Sequence, residues 1–124
     1  MTREPTMTLE RLRAFNEAWG RGDVDALMRY VADDCVYGAS VGPEPGETFV
    51  GRDAVRAGFE RMLAFDADKE GREGDCWVAG DLGAAEWSYV ETSADGTAVE
   101  IRGCDLFRFR GDLIVRKDAF RKVW

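Results

Sequence analysis

Several ionisable side chains near the C-terminal end of the chain are candidates for acid–base chemistry. In the segment EIRGCDLFRFRG, residues 100–111, a period of two places Asp105 on a face that is otherwise apolar, with Ile101, Phe107 and Phe109. Carboxyl groups that share a poorly solvated site cannot all ionise cheaply, so the pKa of at least one should rise. Asp105 is therefore a candidate acid or base.

Two tight turns predict which side chains share this face with Asp105. If Asp95–Gly96 are the central residues of a two-residue hairpin turn, Glu86 lies opposite Asp105. If Gly111–Asp112 close the next hairpin, Asp118 of the following strand also lies opposite Asp105, across the other edge of the Asp105 strand. A three-residue loop at either turn would shift one strand by one residue and exchange its two faces. The predicted catalytic set is Asp105, Asp118, Glu86 and Arg116.

A structural interpretation of the same residues stays open. A strand aspartate can bond Tyr, Trp or Arg side chains and be a satisfied polar group of the core. Arg116 can neutralise Asp105 as a buried ion pair, while Glu86 and Asp118 can lie near a rim in water. In that case none of the four would be catalytic.

The elements that must position these groups are helices followed by strands. Thr8 is a candidate N-cap for a helix in which apolar residues recur at spacings of three and four, and Gly22 ends it. Asp23 can cap a short second helix, and TFVGRDAVRAGFERMLAF contains a third. The remainder alternates as strands joined by turns. The pattern predicts a single α+β domain over 1–124, with three helices packed on one face of an antiparallel sheet.

The order of these segments resembles the SnoaL-like and ketosteroid-isomerase-like branch of the nuclear transport factor 2 (NTF2-like) superfamily. The resemblance rests on GRGDVDALMRYVADDCV, FVGRDAVRAGF, AAEWSYVETSADG and GCDLFRFRGDLIVRKDAF, and it covers residues 9–122. It implies a cone-shaped fold with a strongly curved antiparallel sheet, a deep apolar pocket and, commonly, dimers. Members include isomerases, polyketide cyclases, dehydratases, epoxide hydrolases and proteins without known catalysis, so the fold does not assign the reaction.

The resemblance also suggests how far known mechanisms transfer. The sheet aspartate of ketosteroid isomerases, a protonated residue in that well-known system, falls on Asp105. Their tyrosine position falls on Phe15 and their base position falls near Ala39, so that isomerisation mechanism is not expected; Tyr37 could replace the phenol. SnoaL-like cyclases use an aspartate in an apolar pocket. Limonene-epoxide-hydrolase-like members use an Asp-Arg-Asp set, although their last-strand aspartate would sit closer to Ala119.

Composition excludes several other functions. The chain has a net charge of −7 and scattered arginines, which argues against nucleic acid and anionic membranes. It has no histidine, which removes histidine-based catalysis and metal sites. Its three cysteines lack metal or redox spacing. We expect no cofactor and no metal.

With neither a signal peptide nor a membrane span expected, a reducing cytoplasm is the predicted location.

Two functions follow from these observations. The first is a small cofactor-free isomerase, cyclase or hydrolase that acts on an apolar, ring-containing or polyketide-like molecule, with Asp105 central. The alternative is a non-catalytic ligand-binding or dimerisation domain of the same fold. The predicted ligand contacts are Phe15, Trp19, Tyr37, Phe59, Val90, Ile101, Phe107 and Phe120. The predicted homodimer contacts, on the opposite sheet face, are Trp87, Tyr89, Cys104 and Leu106.

Overall fold

Three helices pack against one face of a six-stranded sheet in the computed structural model, which describes residues 5–43 and 46–122. The helices are α1 (Leu9–Arg21), α2 (Val24–Met28) and α3 (Arg52–Phe65). The strands are β1 (Val31–Gly38), β2 (Thr48–Val50), β3 (Glu70–Ala79), β4 (Leu82–Thr92), β5 (Ala98–Arg110) and β6 (Leu113–Arg121). The sheet is curved and unclosed, with the order β2-β1-β6-β5-β4-β3. The predicted α+β class is confirmed.

The helix boundaries follow from local capping chemistry. Thr8 Oγ1 accepts a hydrogen bond from the Arg11 backbone N–H at 3.0 Å, which satisfies one free donor at the start of α1. Gly22 ends α1 with φ at 68°, a left-handed conformation that glycine adopts without strain. Asp23 caps α2 by accepting from the Ala26 N–H at 3.1 Å. The caps predicted from sequence are confirmed.

The sheet is mixed rather than wholly antiparallel. Strands β3 to β6 form an antiparallel meander, but β1 runs parallel to β6, with Val36 opposite Arg116 and Gly38 opposite Asp118. No short turn connects β1 to β6, because parallel neighbours need a long crossover connection. Local sequence therefore carries no signal for the direction of this pairing.

We call the sheet face that packs against the helices the concave face, and the opposite one the outer face. Asp105, Phe107 and Phe109 are buried on the concave face, as the alternation of β5 predicts. Phe107 packs edge-on against Phe15 of α1, with ring centroids 6.0 Å apart. The core thus lies between this face and the helices.

The turn between β4 and β5 encloses three residues, 94–96, between the paired residues Ser93 and Thr97, and this overturns the predicted register of β4. The Ser93 N–H donates to the Thr97 carbonyl at 2.8 Å, and Gly96 takes a φ of 86°. Ala85, not Glu86, therefore lies opposite Asp105. A shift of one residue exchanges the faces of the whole strand.

The consequence for β4 is a complete exchange of predicted neighbours. Trp87 lies opposite Gly103 and Tyr89 lies opposite Ile101, so both rings belong to the concave face and not to the outer face where the sequence analysis placed them. Glu86 and Val90 belong instead to the outer face. Their predicted positions beside Asp105 are wrong.

A β-bulge in β6 overturns the second register. Phe109 lies opposite Ile114 as predicted, but Arg108 lies opposite Arg116, which leaves Val115 as the extra residue. Beyond the bulge every residue of β6 shifts by one. Lys117, Ala119 and Arg121 therefore belong to the concave face. The predicted concave positions of Arg116, Asp118 and Phe120 are wrong, because these three lie on the outer face.

Candidate functional site

A cavity of about 430 Å³ lies between α1, the C-terminal end of α3 and the concave face of the sheet. Small-molecule sites typically measure about 300–1,000 Å³, so this cavity has the size of one. Its wall combines aromatic rings with buried charges. The rings are Phe15, Trp19, Tyr37, Trp87 and Tyr89, and the buried charged residues are Asp66, Lys69, Asp105, Lys117 and Arg121.

Asp105 is held at the inner wall of this cavity by β5. Its residue is 6 % exposed, and its Oδ1 lies 3.5 Å from the Nζ of Lys117 on the neighbouring strand. That distance is longer than the ~2.7–3.2 Å of a good N–H···O hydrogen bond. Among the described residues Oδ1 has no hydrogen-bond partner. The Asp105 carboxylate thus lines the cavity as one half of an ion pair with the Lys117 ammonium.

Lys117 is a buried lysine surrounded by rings. Its residue is 4 % exposed, and its Nζ lies 4.2 Å from the ring centroid of Trp19 and 4.8 Å from that of Tyr37. Burial lowers the pKa of Lys117, because its ammonium is removed from water, while the nearby Asp105 carboxylate acts in the opposite direction. The ring faces stabilise the cationic form in the same way as the carboxylate.

Tyr37 lines the cavity and carries a buried hydroxyl group. It is fully buried on β1, its ring stacks on Phe49, and it meets Phe59 edge-on with centroids 4.9 Å apart. Within the described residues its Oη has no hydrogen-bond partner. Burial raises the pKa of the Tyr37 phenol well above its ordinary range. The hydroxyl therefore stays protonated and can donate a hydrogen bond.

A second ion pair, between Arg121 and Asp66, is fully engaged within the protein. The guanidinium donates to both oxygens of Asp66, at 3.0 Å and 2.6 Å, and to Ser40 Oγ at 3.1 Å. It also lies 5.3 Å from the ring centroid of Trp87. A bidentate buried pair of this kind is rigid. Both oxygens of Asp66 thus accept hydrogen bonds from Arg121, whereas the contact between Asp105 and Lys117 is longer, at 3.5 Å.

The predicted catalytic set does not converge as expected. Asp105 lines the cavity, but Asp118 accepts a hydrogen bond from Arg116 Nε at 2.7 Å on the outer face. Glu86 borders the cavity, but it is exposed and lies opposite Cys104 on the outer face. A lysine, and not a second carboxylate, is the charged neighbour of Asp105.

The predicted ligand contacts divide into three groups. Phe15, Trp19 and Tyr37 line the cavity. Phe59 and Phe107 are buried in the core against Phe15 and are not among the lining residues, and neither is Ile101, although it shares the concave face. Val90 and Phe120 lie on the outer face, where they cannot contact a molecule in the cavity.

The cavity residues that were not predicted from the sequence are Lys117, Arg121, Asp66, Trp87 and Tyr89. For β4 a signal was present: the alternation Ala85, Trp87, Tyr89 is apolar, whereas the alternation Glu86, Ser88 is polar. A three-residue loop that ends in glycine is also a common hairpin connection. For β6 no local signal marks the bulge at Val115.

The described part of the chain contains neither a metal cluster nor a membrane-spanning helix. No group of three or more Cys, Asp or Glu side chains in residues 5–43 and 46–122 is arranged to hold a metal ion. No helix within those ranges is both long and apolar enough to cross a bilayer.

One family model and several solved structures match this chain over most of its length. The sequence model of the SnoaL-like domain matches residues 12–117. An NTF2-like protein of unknown function from Mesorhizobium loti is 28 % identical, with a TM-score of 0.74, over 92 % of this chain and 89 % of that one. A Catenulispora acidiphila protein of ketosteroid isomerase-like fold, in complex with trimethylamine, is 25 % identical, with a TM-score of 0.67, over 92 % and 86 % of the two chains.

A more distant structure shares the fold alone. A proposed polyketide cyclase from Xanthomonas campestris is 22 % identical, with a TM-score of 0.68, over 90 % of this chain and 87 % of that one. No curated protein matches this chain significantly in sequence.

Proposed function

Because this chain belongs to the SnoaL-like domain family, we propose that it is a small cofactor-independent enzyme that performs acid–base chemistry in the cavity. The observation that carries this proposal is that Asp105 and Tyr37 line one aromatic wall, where the carboxylate is held by a long contact to Lys117 and the phenol has no hydrogen-bond partner among the described residues. A buried polar group without a partner costs about 1–3 kcal/mol. A ligand group that accepts a hydrogen bond from the Tyr37 hydroxyl offsets this cost.

The substrate that fits is an apolar, ring-containing or polyketide-like carbonyl compound. The rings of Phe15, Trp19 and Trp87 provide its apolar contacts. Asp105 accepts a proton from the carbon next to the carbonyl group, and Tyr37 donates a hydrogen bond to the carbonyl oxygen as that oxygen becomes negative. Return of the proton from Asp105 to another carbon completes an isomerisation. In a cyclisation the new carbanion attacks a second carbonyl carbon, and Asp105 gives its proton to the alkoxide that forms.

Proton abstraction can be tested without the natural substrate. β-Tetralone is a suitable probe, because it is an apolar ring ketone with exchangeable protons next to its carbonyl group. We expect the protein to accelerate incorporation of deuterium from D₂O into β-tetralone, followed by proton NMR. Asp105→Asn should remove most of this acceleration, because general acid–base catalysis typically contributes about 10²–10⁴-fold.

The matched control is Asp118→Asn, which removes a carboxylate from the same sheet on the outer face. It should leave the exchange rate unchanged. Equal exchange rates for the wild-type protein and Asp105→Asn would contradict the proposed chemistry.

The alternative function is a non-catalytic small-molecule-binding domain. It is favoured by Phe15 and Ala39, which stand where the resemblance to ketosteroid isomerases expects the catalytic tyrosine and base. In that case β-tetralone quenches the fluorescence of Trp19 and Trp87, which line the cavity, but its exchange is not accelerated. The two measurements separate the two functions.

We further propose a homodimer formed through the outer face. The half-exposed side chains of Leu106 and Phe120 lie there beside Cys104, and Ala84 links Leu106 to Trp77 on β3. Arg102, Arg116 and Asp118 lie on the same face beside this apolar band, so a two-fold axis can place opposite charges against each other. Trp87 and Tyr89, which were predicted for this interface, belong to the cavity instead.

A reducing compartment such as the cytoplasm is also part of the proposal. Cys35, Cys76 and Cys104 are all free thiols, and the first two are buried. Burial raises the pKa of Cys35 to about 11, so this thiol is protonated and unreactive. Mass spectrometry of the protein alkylated in cell extract under denaturing conditions should find all three thiols reduced.

A further inference from the structure

We propose that Lys117 is a nucleophile that forms an imine with an aldehyde or ketone bound in the cavity, with Asp105 as the counterion of the product. This inference rests on the proposed function in one respect, that the cavity accepts a carbonyl compound. It adds a covalent step and a residue that the acid–base proposal does not require.

The position of the Lys117 amine carries this inference. The residue lines the cavity, and its Nζ faces the rings of Trp19, Tyr37 and Phe59 at 4.2–5.9 Å from their centroids. Its nearest charged partner is Asp105, at a distance too long for a good hydrogen bond. The amine is therefore held in place by rings and one carboxylate, and its lone pair is not committed to a strong partner once it loses a proton.

A comparison with Lys69 shows that lining the cavity is not sufficient. The Nζ of Lys69 donates to the Phe65 carbonyl at 3.0 Å and to Asp68 at 3.3 Å, and it lies 3.5 Å from Asp66. These partners occupy the three donors of its ammonium group. Lys69 therefore provides an internal control for Lys117.

Desolvation supports the same assignment. Burial lowers the pKa of Lys117 and so increases the fraction of neutral amine. Lysines in apolar pockets are activated as nucleophiles for this reason. The Asp105 carboxylate on β5 opposes this lowering of the pKa of Lys117. The other nearby charge on β6, the Arg121 guanidinium, is neutralised by Asp66.

The reaction balances with the groups present. The Lys117 ammonium gives one proton to Asp105, and the neutral nitrogen attacks the carbonyl carbon, whose π electrons move to oxygen. A proton then moves from nitrogen to this oxygen, which gives a carbinolamine. Asp105 returns its proton to the hydroxyl group, which leaves as water while the nitrogen lone pair forms the C=N bond. The product is an iminium cation beside the Asp105 carboxylate, and no oxidant or reductant takes part.

Reductive trapping tests the proposal. β-Naphthaldehyde is the probe, because it is apolar and ring-containing and has no proton that acid–base exchange could remove. The protein is incubated with it and sodium cyanoborohydride, and adducts are located by peptide mapping. The chain contains only Lys69, Lys117 and Lys122, which makes the assignment simple. We expect Lys117 to be labelled at least about tenfold faster than exposed Lys122, since binding in the cavity holds the aldehyde next to the Lys117 amine.

Three variants complete the design. Lys117→Arg keeps a cation beside Asp105 but cannot form the imine, so it should lose the cavity adduct while it remains folded. Lys69→Arg and Lys122→Arg should keep labelling at position 117. Because mapping of the wild-type protein locates the adduct directly, the result does not depend on the folding of any variant.

The outcomes distinguish this inference from the proposed function. Labelling confined to Lys69, Lys122 or the terminal amine overturns the inference. Quenching of tryptophan fluorescence by β-naphthaldehyde without an adduct on Lys117 also overturns it, but leaves the cavity as a ligand site. Absence of both binding and labelling counts against the inference, and absence of β-tetralone exchange as well counts against the proposed function.

Discussion

The amine of Lys117 and the carboxylate of Asp105 approach to 3.5 Å from adjacent strands, and both residues are buried. They do not lie directly opposite each other, because Asp105 faces Ala119 and Lys117 faces Phe107. The pair is thus a diagonal contact across β5 and β6. Its existence depends on the single extra residue, Val115, in β6.

The first prediction concerns the stability of this pair. Either Asp105→Asn or Lys117→Met should destabilise the protein by about 3–5 kcal/mol, because each leaves one buried charge without its partner. The double variant should be more stable than the sum of the single changes implies. Urea unfolding of all four proteins measures this coupling, and strictly additive effects would show that the two charges do not interact.

The second prediction concerns the hydroxyl group of Tyr37. Tyr37→Phe should leave the free energy of unfolding unchanged or slightly raised, because the buried Oη it removes has no protein partner. The same change should slow β-tetralone exchange by about 10²–10³-fold, the usual effect of removing one donor to a developing oxyanion.

The matched control for Tyr37→Phe is Tyr89→Phe. Tyr89 lines the same cavity, but its Oη accepts a hydrogen bond from Trp19 Nε1 at 3.3 Å. Loss of this hydrogen bond should lower the free energy of unfolding by about 1 kcal/mol. If Tyr37→Phe is the more destabilising of the two, the hydroxyl of Tyr37 has a structural partner and not a ligand.

The third prediction is a difference in the pH dependence of stability. Burial raises the pKa of Tyr37 above its ordinary value of 10.0, so above that pH the unfolded chain has lost a proton that the folded protein retains. Stability must therefore fall as the pH rises beyond about 10. The Tyr37→Phe variant should lose less stability than the wild-type protein as the pH rises through this range. Urea titrations at increasing alkaline pH should show the two proteins diverging, and parallel curves would contradict the assignment.

The fourth prediction tests the corrected register of β4. Trp87 lies over Gly103 on the concave face, and a Cβ at position 103 would clash with its ring and with the Phe120 carbonyl. Gly103→Ala should cost about 1–3 kcal/mol, as overpacking usually does. It should also shift the tryptophan emission.

Gly20→Ala is the corresponding control. Gly20 lies within α1, and an added Cβ would come no nearer than 4.0 Å to a neighbouring atom, the side-chain Oε1 of Glu73. It should stabilise the protein by about 0.5–1 kcal/mol, because glycine weakens a helix. Tolerance of alanine at position 103 without a change in emission would argue that Trp87 lies elsewhere.

The fifth prediction concerns the proposed dimer. Leu106→Glu should weaken self-association at least about tenfold, or 1.4 kcal/mol, because it places a charge in the apolar band of the outer face. Leu106 is half-exposed in the single chain, so the fold should tolerate the change. Val99→Glu, at an exposed position of β5 that belongs to the concave face, is the control. Sedimentation equilibrium measures both, and a monomeric wild-type protein would contradict the interface.

The sequence by itself determined the helices, their caps, the α+β class and the face that carries Asp105. These features depend on short-range interactions: a cap bonds a backbone group three residues away, and alternation within β5 separates apolar from charged positions. The resemblance to the SnoaL-like branch, which the family match confirms, rests on the same local patterns in chain order.

Only the tertiary structure decided which charged residues meet Asp105. In β6 the residues Arg116, Lys117 and Asp118 are all charged, so either register offers a charge to the concave face and the hydrophobic pattern cannot distinguish them. The bulge at Val115 selects Lys117, and the three-residue loop after β4 selects Trp87 and Tyr89. A one-residue offset leaves the composition of a strand unchanged but replaces every side chain that it presents, which is why the fold was predictable and the site was not.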